Sequence, residues 1–251
     1  MISKINQVIG KRLASFLTKP LRGYQRVDTV SVETIGSVLE TGDVVLVEGN
    51  TRISIAIKYL TQSSWSHACL FVGNQEALCS EPSLLEADLN KGVRLVPLQQ
   101  YAEFNLRICR PVSLNEEDKK ELVEFARSKL GQKYDLKNVV DLARYLIQKP
   151  AVPNRYRRAM ISLGSSEPTK AICSTLIAES FQSINYPILP RTGDGKGING
   201  EVPQFYKRHF THFTPRDFDL SPYFRVVKPS VEEGFNFREF NWLHDNESTQ
   251  N

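Results

Sequence analysis

The order in which strand-like and helix-like segments occur constrains this chain more than any single residue. Between positions 43 and 109, short apolar runs follow one another closely: Asp43–Val47, His67–Val72, Leu84–Ala87, Val93–Val96 and Leu106–Cys109. One short helical segment, Ile53–Leu60, interrupts them. From position 115 the pattern becomes helical. Asn115 is a good N-cap, and Glu116, Glu117 and Asp118 suit the positive end of a helix dipole. Leu122, Ala126 and Leu130 share one face, and Gly131 stops the helix. Further helices are expected at Leu136–Ile147 and Ser174–Ile184, the latter with Leu176, Ile177 and Phe181 inward and Pro187 and Pro190 beyond it. A late strand, Tyr223–Val227, returns to the sheet. Strands first and helices after predict an α+β protein rather than a parallel βαβ alternation.

With 251 residues the chain supports one substantial core with appendages. The expected division is a basic segment 1–30, a main domain 31–230 and an acidic, aromatic tail 231–251. In the first segment Ile2, Ile5, Ile9, Leu13 and Phe16 recur at spacings of three and four. Lys4, Lys11, Arg12, Lys19, Arg22 and Arg26 accompany them, and the first acid is Asp28. A basic amphipathic helix suits an anionic membrane surface. The same pattern also fits a helix packed on the body with its charges in water. The tail, with Phe235, Phe237, Phe240 and Trp242, fits either packing or a partner. A net charge of +4 is too small to indicate nucleic acid. No apolar run is long enough to cross a bilayer, and the N-terminus does not read as a signal peptide. A cytoplasmic location, peripheral to the inner membrane face if the first segment docks there, is therefore expected.

Cys69, Cys79, Cys109 and Cys173 form no C-x-x-C pair, so free thiols are expected. Cys173 lies between the apolar Ala171-Ile172 and a good helix. A cysteine at a helix N-terminus meets backbone amides and a dipole that favour thiolate and can hold an oxyanion. The alternative is a small buried hydrophobe. His67 opens an apolar strand at its polar end, where it can face a cleft. Glu86, alone among Leu84, Leu85 and Ala87, needs a partner if buried, and an imidazole N–H would serve. Gly195–Gly200 fits G-x-G-x-x-G but lacks the flanking strand and helix of a dinucleotide site. Arg155, Arg157 and Arg158 read as a solvated charge run. No zinc-ligand spacing is present, and neither metal nor organic cofactor is expected.

Taken in order, Gly42-Asp43, Ser66-His67 with Gly73, Leu85-Glu86-Ala87, Gly131-x-x-Tyr134-Asp135 and Cys173-Ser174-x-Leu176-Ile177 resemble the circularly permuted NlpC-type papain-like hydrolases, in particular the YiiX/YaeF-like branch. There the histidine strand precedes the cysteine helix, as it does here. The resemblance runs from about Gly42 to Pro190 and more weakly through Thr214–Val227. It implies a small antiparallel, barrel-like sheet packed on helices, with Cys173 as nucleophile, His67 as base and Glu86 as orienting acid. It places Tyr134 and Ser174 at the oxyanion site or cleft. The activity implied is hydrolysis or acyl transfer at an amide, ester or thioester through an acyl-thioenzyme. The lack of a secretion signal and the long basic stretch between Tyr134 and Cys173 together point away from peptidoglycan, and the basic N-terminal segment with a cytoplasmic setting points toward a small-molecule, lipid-linked or peptide-like acyl substrate. A binding or scaffold protein on the same fold is the alternative.

Overall fold

Val44–Val47 is an unbroken apolar run, and all four residues are buried. A strand covered on both faces needs no polar alternation, and this one (β1) is the centre of the protein. It pairs antiparallel with β2 (His67–Asn74) on one side and β5 (Leu106–Pro111) on the other, setting Val47 opposite both His67 and Leu106. β3 (Pro82–Asp88) joins β2, and β4 (Gly92–Pro97) joins β3. β8 (Phe224–Val227) closes on β5, giving the antiparallel order β4-β3-β2-β1-β5-β8. A separate two-stranded pair joins β6 (Arg191–Thr192) and β7 (Phe205–Tyr206). This computed structural model describes residues 16–20, 23–74, 82–88, 91–133, 172–192, 205–232 and 234. The expected helix Leu136–Ile147, the loop Gly193–Gly200, most of the acidic tail, Tyr134 and Cys79 lie outside them.

Helices α1 (Val32–Ser37), α2 (Arg52–Thr61), α3 (Glu116–Ser128), α4 (Ile172–Ser183), α5 (Pro215–Leu220) and α6 (Pro229–Glu232) complete the α+β architecture. Asn115 caps α3 in a reciprocal capping box with Asp118, satisfying backbone donors that would otherwise be orphaned. Strand alternation divides the core between the two faces of the sheet. Val44, Leu46, Ala68, Leu70 and Leu85 meet Leu122, Ala126, Leu176, Phe181 and Phe218 from the helices. Each such large side chain contributes roughly 1.5–3 kcal/mol on burial. On the other face Val45, Val47, Cys69, Phe71 and Leu84 meet Val32, Ile35, Leu98 and Tyr101.

Two tethers fix the frame around the sheet. Gly131 N–H donates to the Val93 carbonyl, and Val93 N–H to the Gln132 carbonyl, so the end of α3 is pinned on β4. Gly92 has φ +77, and a Cβ there would lie 2.3 Å from the Gln132 oxygen, so this approach requires glycine. Beside β1, Asp43 is fully buried and takes two hydrogen bonds from Arg110 at 2.9 and 2.8 Å and one from Glu40 N–H. Burial still pushes its carboxyl above the ordinary value, with Arg110 acting against it.

The described part of the basic segment is tied to the body. Leu17 is buried, and the Phe16 carbonyl accepts from Arg52, whose guanidinium lies over the Phe16 ring. Tyr24 packs against Phe104, Arg26 donates to the Ala102 carbonyl, and Val27 and Asp28 N–H both donate to Asn105. Among the described residues no helix is long and apolar enough to cross a membrane.

Candidate active site

His67 enters the sheet from a braced turn. Ser66 N–H donates to the Val47 carbonyl, and the Ser66 hydroxyl accepts from Gly49 N–H. Position 49 has no room for a side chain, since a Cβ would meet the Ser54 hydroxyl at 2.4 Å. β2 and β3 pair Leu70 with Leu85, so Glu86 comes beside Cys69. From there it is within diagonal reach of His67 on the same face. The His67 Nε2 to Glu86 Oε2 distance is 2.9 Å. An ionised carboxylate only accepts, so Nε2 carries the proton and Nδ1 is the nitrogen left for another partner.

Cys173 is the second residue of α4. His67 and the Ala68 backbone N–H both act on its thiol electrostatically. The Ser174 hydroxyl lies 3.9 Å from the sulfur. The helix is pressed against the sheet by Leu176, Ile177 and Phe181 and tied to α3 by Lys129–Glu179 at 2.7 Å. The structure thus gathers the hydrogen-bonded pairs His67–Glu86 and Cys173–Ser174, electrostatically coupled, from β2, β3 and the N-terminal turn of α4. Tyr134 lies outside the described residues.

The electrostatics follow from this packing. Burial alone would raise the Cys173 thiol, but the imidazole, the Ala68 N–H and the Ser174 hydroxyl outweigh it and hold it below the ordinary thiol value. The helix N-terminus acts in the same direction. Burial works against a charge on His67, yet its basicity is raised well above that of an ordinary imidazole by the acidic groups around it, Tyr101, Cys69 and Cys173. Of these, Cys173 is the one that ionises, because burial keeps the Tyr101 and Cys69 protons in place. Both shifts favour a thiolate–imidazolium pair. Burial disfavours the Glu86 anion too, but His67, Tyr101 and Arg94 overcome it and bring its carboxyl down to about 2.

Three neighbours escape a reading of the sequence. Arg94 lies opposite Glu86 in the β3–β4 register and forms an ion pair with it at 2.6 Å. The Tyr101 hydroxyl donates to Glu86, and the Cys69 thiol donates to Tyr101 at 3.6 Å. Closing the 82–97 hairpin on paper would have found Arg94, since 86 and 94 then face each other. Nothing in the sequence marks Tyr101, which arrives on a single 3-10 turn, Leu98–Tyr101. On the other face of the sheet, Asp219 bridges Arg107 at 2.7 Å and the Trp65 indole N–H at 3.1 Å, and Arg107 stacks on the Trp65 ring.

Ligand atoms of His67, Cys69 and Glu86 lie within 4.8 Å of one another, a spacing a metal ion could use. Their hydrogen bonds are already committed, however, and Arg94 neutralises the carboxylate.

Residues 38–146 match the family of permuted papain-like amidase enzymes of the YaeF/YiiX type, the C92 family. The matched segment is less than half of the chain and contains His67 and Glu86, while Cys173 lies beyond it. The crystal structure of the metalloprotein yiiX from Escherichia coli O157:H7 is similar, with 18% sequence identity and a TM-score of 0.47. That likeness covers 75% of this chain and 96% of that one. A search of curated proteins finds no match.

Proposed function

We propose that this chain, a permuted papain-like protein of the YaeF/YiiX type and an amidase-type hydrolase at the level of its family, works through a Cys173 acyl-thioenzyme. The observation that carries the reading is the His67–Glu86 pair at 2.9 Å with Cys173 at a helix N-terminus as its electrostatic partner, the thiol made more acidic and the imidazole more basic. The Cys173 thiolate attacks the carbonyl carbon of an amide, ester or thioester, and the carbonyl electron pair moves to oxygen. Backbone amides of the first turn of α4 hold that oxyanion. His67, kept in orientation by Glu86, gives its Nδ1 proton to the leaving group as the tetrahedral species collapses to a thioester. It then takes a proton from water, the hydroxide adds to the thioester, and the thiolate is released with the acid product. An amine or alcohol in place of water would make the same site a transferase, a difference that product analysis with an added acceptor detects.

The substrate is proposed to be a lipid-linked or peptide-like acyl group met at an anionic membrane face. The basic segment supports this, because its apolar stripe ends at Phe16. Phe16 is 51% exposed, and Ile55 and Tyr59 on neighbouring α2 are exposed as well. Truncating residues 1–27 would remove Leu17, Tyr24 and Arg26 from their packing. The better test is the full chain with Lys4, Lys11 and Arg12 reversed to Glu. Its binding to anionic vesicles should fall, and unchanged binding would remove the membrane from the proposal.

The test of the chemistry is iodoacetamide alkylation of each cysteine against pH, followed by mass spectrometry, in wild type and His67→Ala. Thiolate forms as pH rises through the lowered Cys173 value, so alkylation should begin well below the range of an ordinary thiol. His67→Ala should return it there. A Cys173 that titrates as an ordinary thiol in both proteins rules the mechanism out.

A further inference from the structure

Glu86 is 3% exposed and is held by three side chains of three different elements, two by hydrogen bonds and Arg94 by an ion pair. His67 Nε2 comes from β2 at 2.9 Å, Arg94 from β4 at 2.6 Å, and the Tyr101 hydroxyl from the turn that follows β4. The mechanism uses only the first of these. We infer that Tyr101 is a positioning residue, fixing the Glu86 carboxylate where it orients His67, an inference that rests on the Cys173–His67 reading above.

The hydroxyl has one orientation available. Its oxygen takes the Cys69 thiol hydrogen, so its own hydrogen is left to Glu86, the acceptor beside it. The ring is fixed too. It is 7% exposed, packed edge-on to Phe104 at 6.1 Å and lies 6.0 Å from the His67 ring. Tyr101 and His67 share the same carboxylate oxygen, Oε2, while Arg94 holds Oε1. Arg94 is the more solvated of the three, with its side chain 28% exposed. Without the phenol, the full charge of Arg94 is opposed only by the histidine bond. The carboxylate is then free to turn toward the guanidinium and away from the ring. Tyr101 holds it against that pull and keeps water from the space between Glu86 and Cys69. Burial and the Glu86 charge raise the phenol well above its ordinary value, so it remains a donor wherever the enzyme is folded.

The charged and titratable groups facing this cluster are His67 and Cys69 on β2, Glu86 on β3, Arg94 on β4 and Cys173 on α4. If the carboxylate turns away, the imidazolium loses support and the thiolate loses its counter-charge. The Cys173 value then rises and the His67 value falls, so the pH window of the reactive pair narrows from both sides.

The experiment is the pH profile of Cys173 alkylation by iodoacetamide in full-length wild type and Tyr101→Phe, with urea unfolding of both. The expected result is that the acid limb, where the thiolate forms, moves to higher pH. A shift of about one unit in the acid limb lowers the rate on that limb about tenfold. A phenylalanine profile that superimposes on wild type, even with a lower urea midpoint, overturns the inference and leaves Tyr101 a packing residue. If Tyr101→Phe does not fold, Tyr101→3-fluorotyrosine keeps the shape and strengthens the donor. Its acid limb should hold or move to lower pH, and a move to higher pH overturns the inference. A wild type lacking any low-pH reactivity at Cys173 marks failure of the underlying mechanism instead, because then there is no window to narrow.

Discussion

Replacing Glu86 with Gln tests the centre of the argument, because the change is nearly isosteric and removes only charge and acceptor capacity. The folded carboxyl titrates at about 2 against an ordinary 4.5, a depression of ~2.5 units or about 3 kcal/mol of coupling. The depressed group is ionised in the folded chain while the unfolded chain still binds a proton. Its stabilisation is therefore complete above the unfolded value of about 4.5. It declines as pH falls and is gone once pH passes the folded value. Gln cannot ionise and so has none of it. Its NH2 must also face a donor or a positive charge, since His67 Nε2 and Tyr101 donate to this side chain and Arg94 is ion-paired with it. Urea unfolding at a series of pH values should show E86Q less stable than wild type by about 3 kcal/mol at neutral pH. The gap should close progressively below pH ~4.5. Alkylation of Cys173 at neutral pH should slow in the same variant, as the imidazolium loses its carboxylate. A stability gap that stays constant from neutral pH down to about 3 would refute the coupling and with it the reading of Glu86 as a buried anion held by its neighbours.

Other parts of the structure make separate predictions. Cys69 and Cys109 should resist alkylation in the folded protein, since burial raises both thiols, Cys109 to about 12; mass spectrometry of the folded and urea-unfolded chain checks this. Asp43→Ala leaves Arg110, whose side chain is 13% exposed, without its buried partner, and should cost about 3–5 kcal/mol in urea unfolding. Gly92→Ala combines a left-handed φ of +77 with a Cβ 2.3 Å from the Gln132 oxygen. The conformation alone costs roughly 1–2 kcal/mol, so a variant as stable as wild type would contradict the pinning of α3 on β4.

What the sequence determined was local. The runs 44–47, 67–72 and 84–87 are strands because their apolar residues fit a sheet, and Asn115 through Asp118 form the cap they spell out. Strands preceding helices settled the fold class, and the motif order pointed to the family whose model matches residues 38–146. The sequence also marked Cys173, His67 and Glu86, each by a local oddity: a cysteine at a helix start, a histidine at a strand end, an acid in an apolar run. The short pieces were not legible. Six-residue helices such as Val32–Ser37 and Pro215–Leu220 carry too little periodicity to stand out, and they form because the core covers one face of each.

Only the tertiary structure decided what surrounds those three residues. Register placed Arg94 across from Glu86, and a single turn after Pro97 carried Tyr101 under the sheet. Strand alternation put Cys69 with that buried group, while α4 brought Cys173 to the end of β2. The ionisation of the site depends on these long-range neighbours, because burial sets the cost of each charge and the partners offset it. A chain read residue by residue contains neither quantity. The identity of a candidate nucleophile is local information, whereas its acidity is a property of the packed neighbourhood.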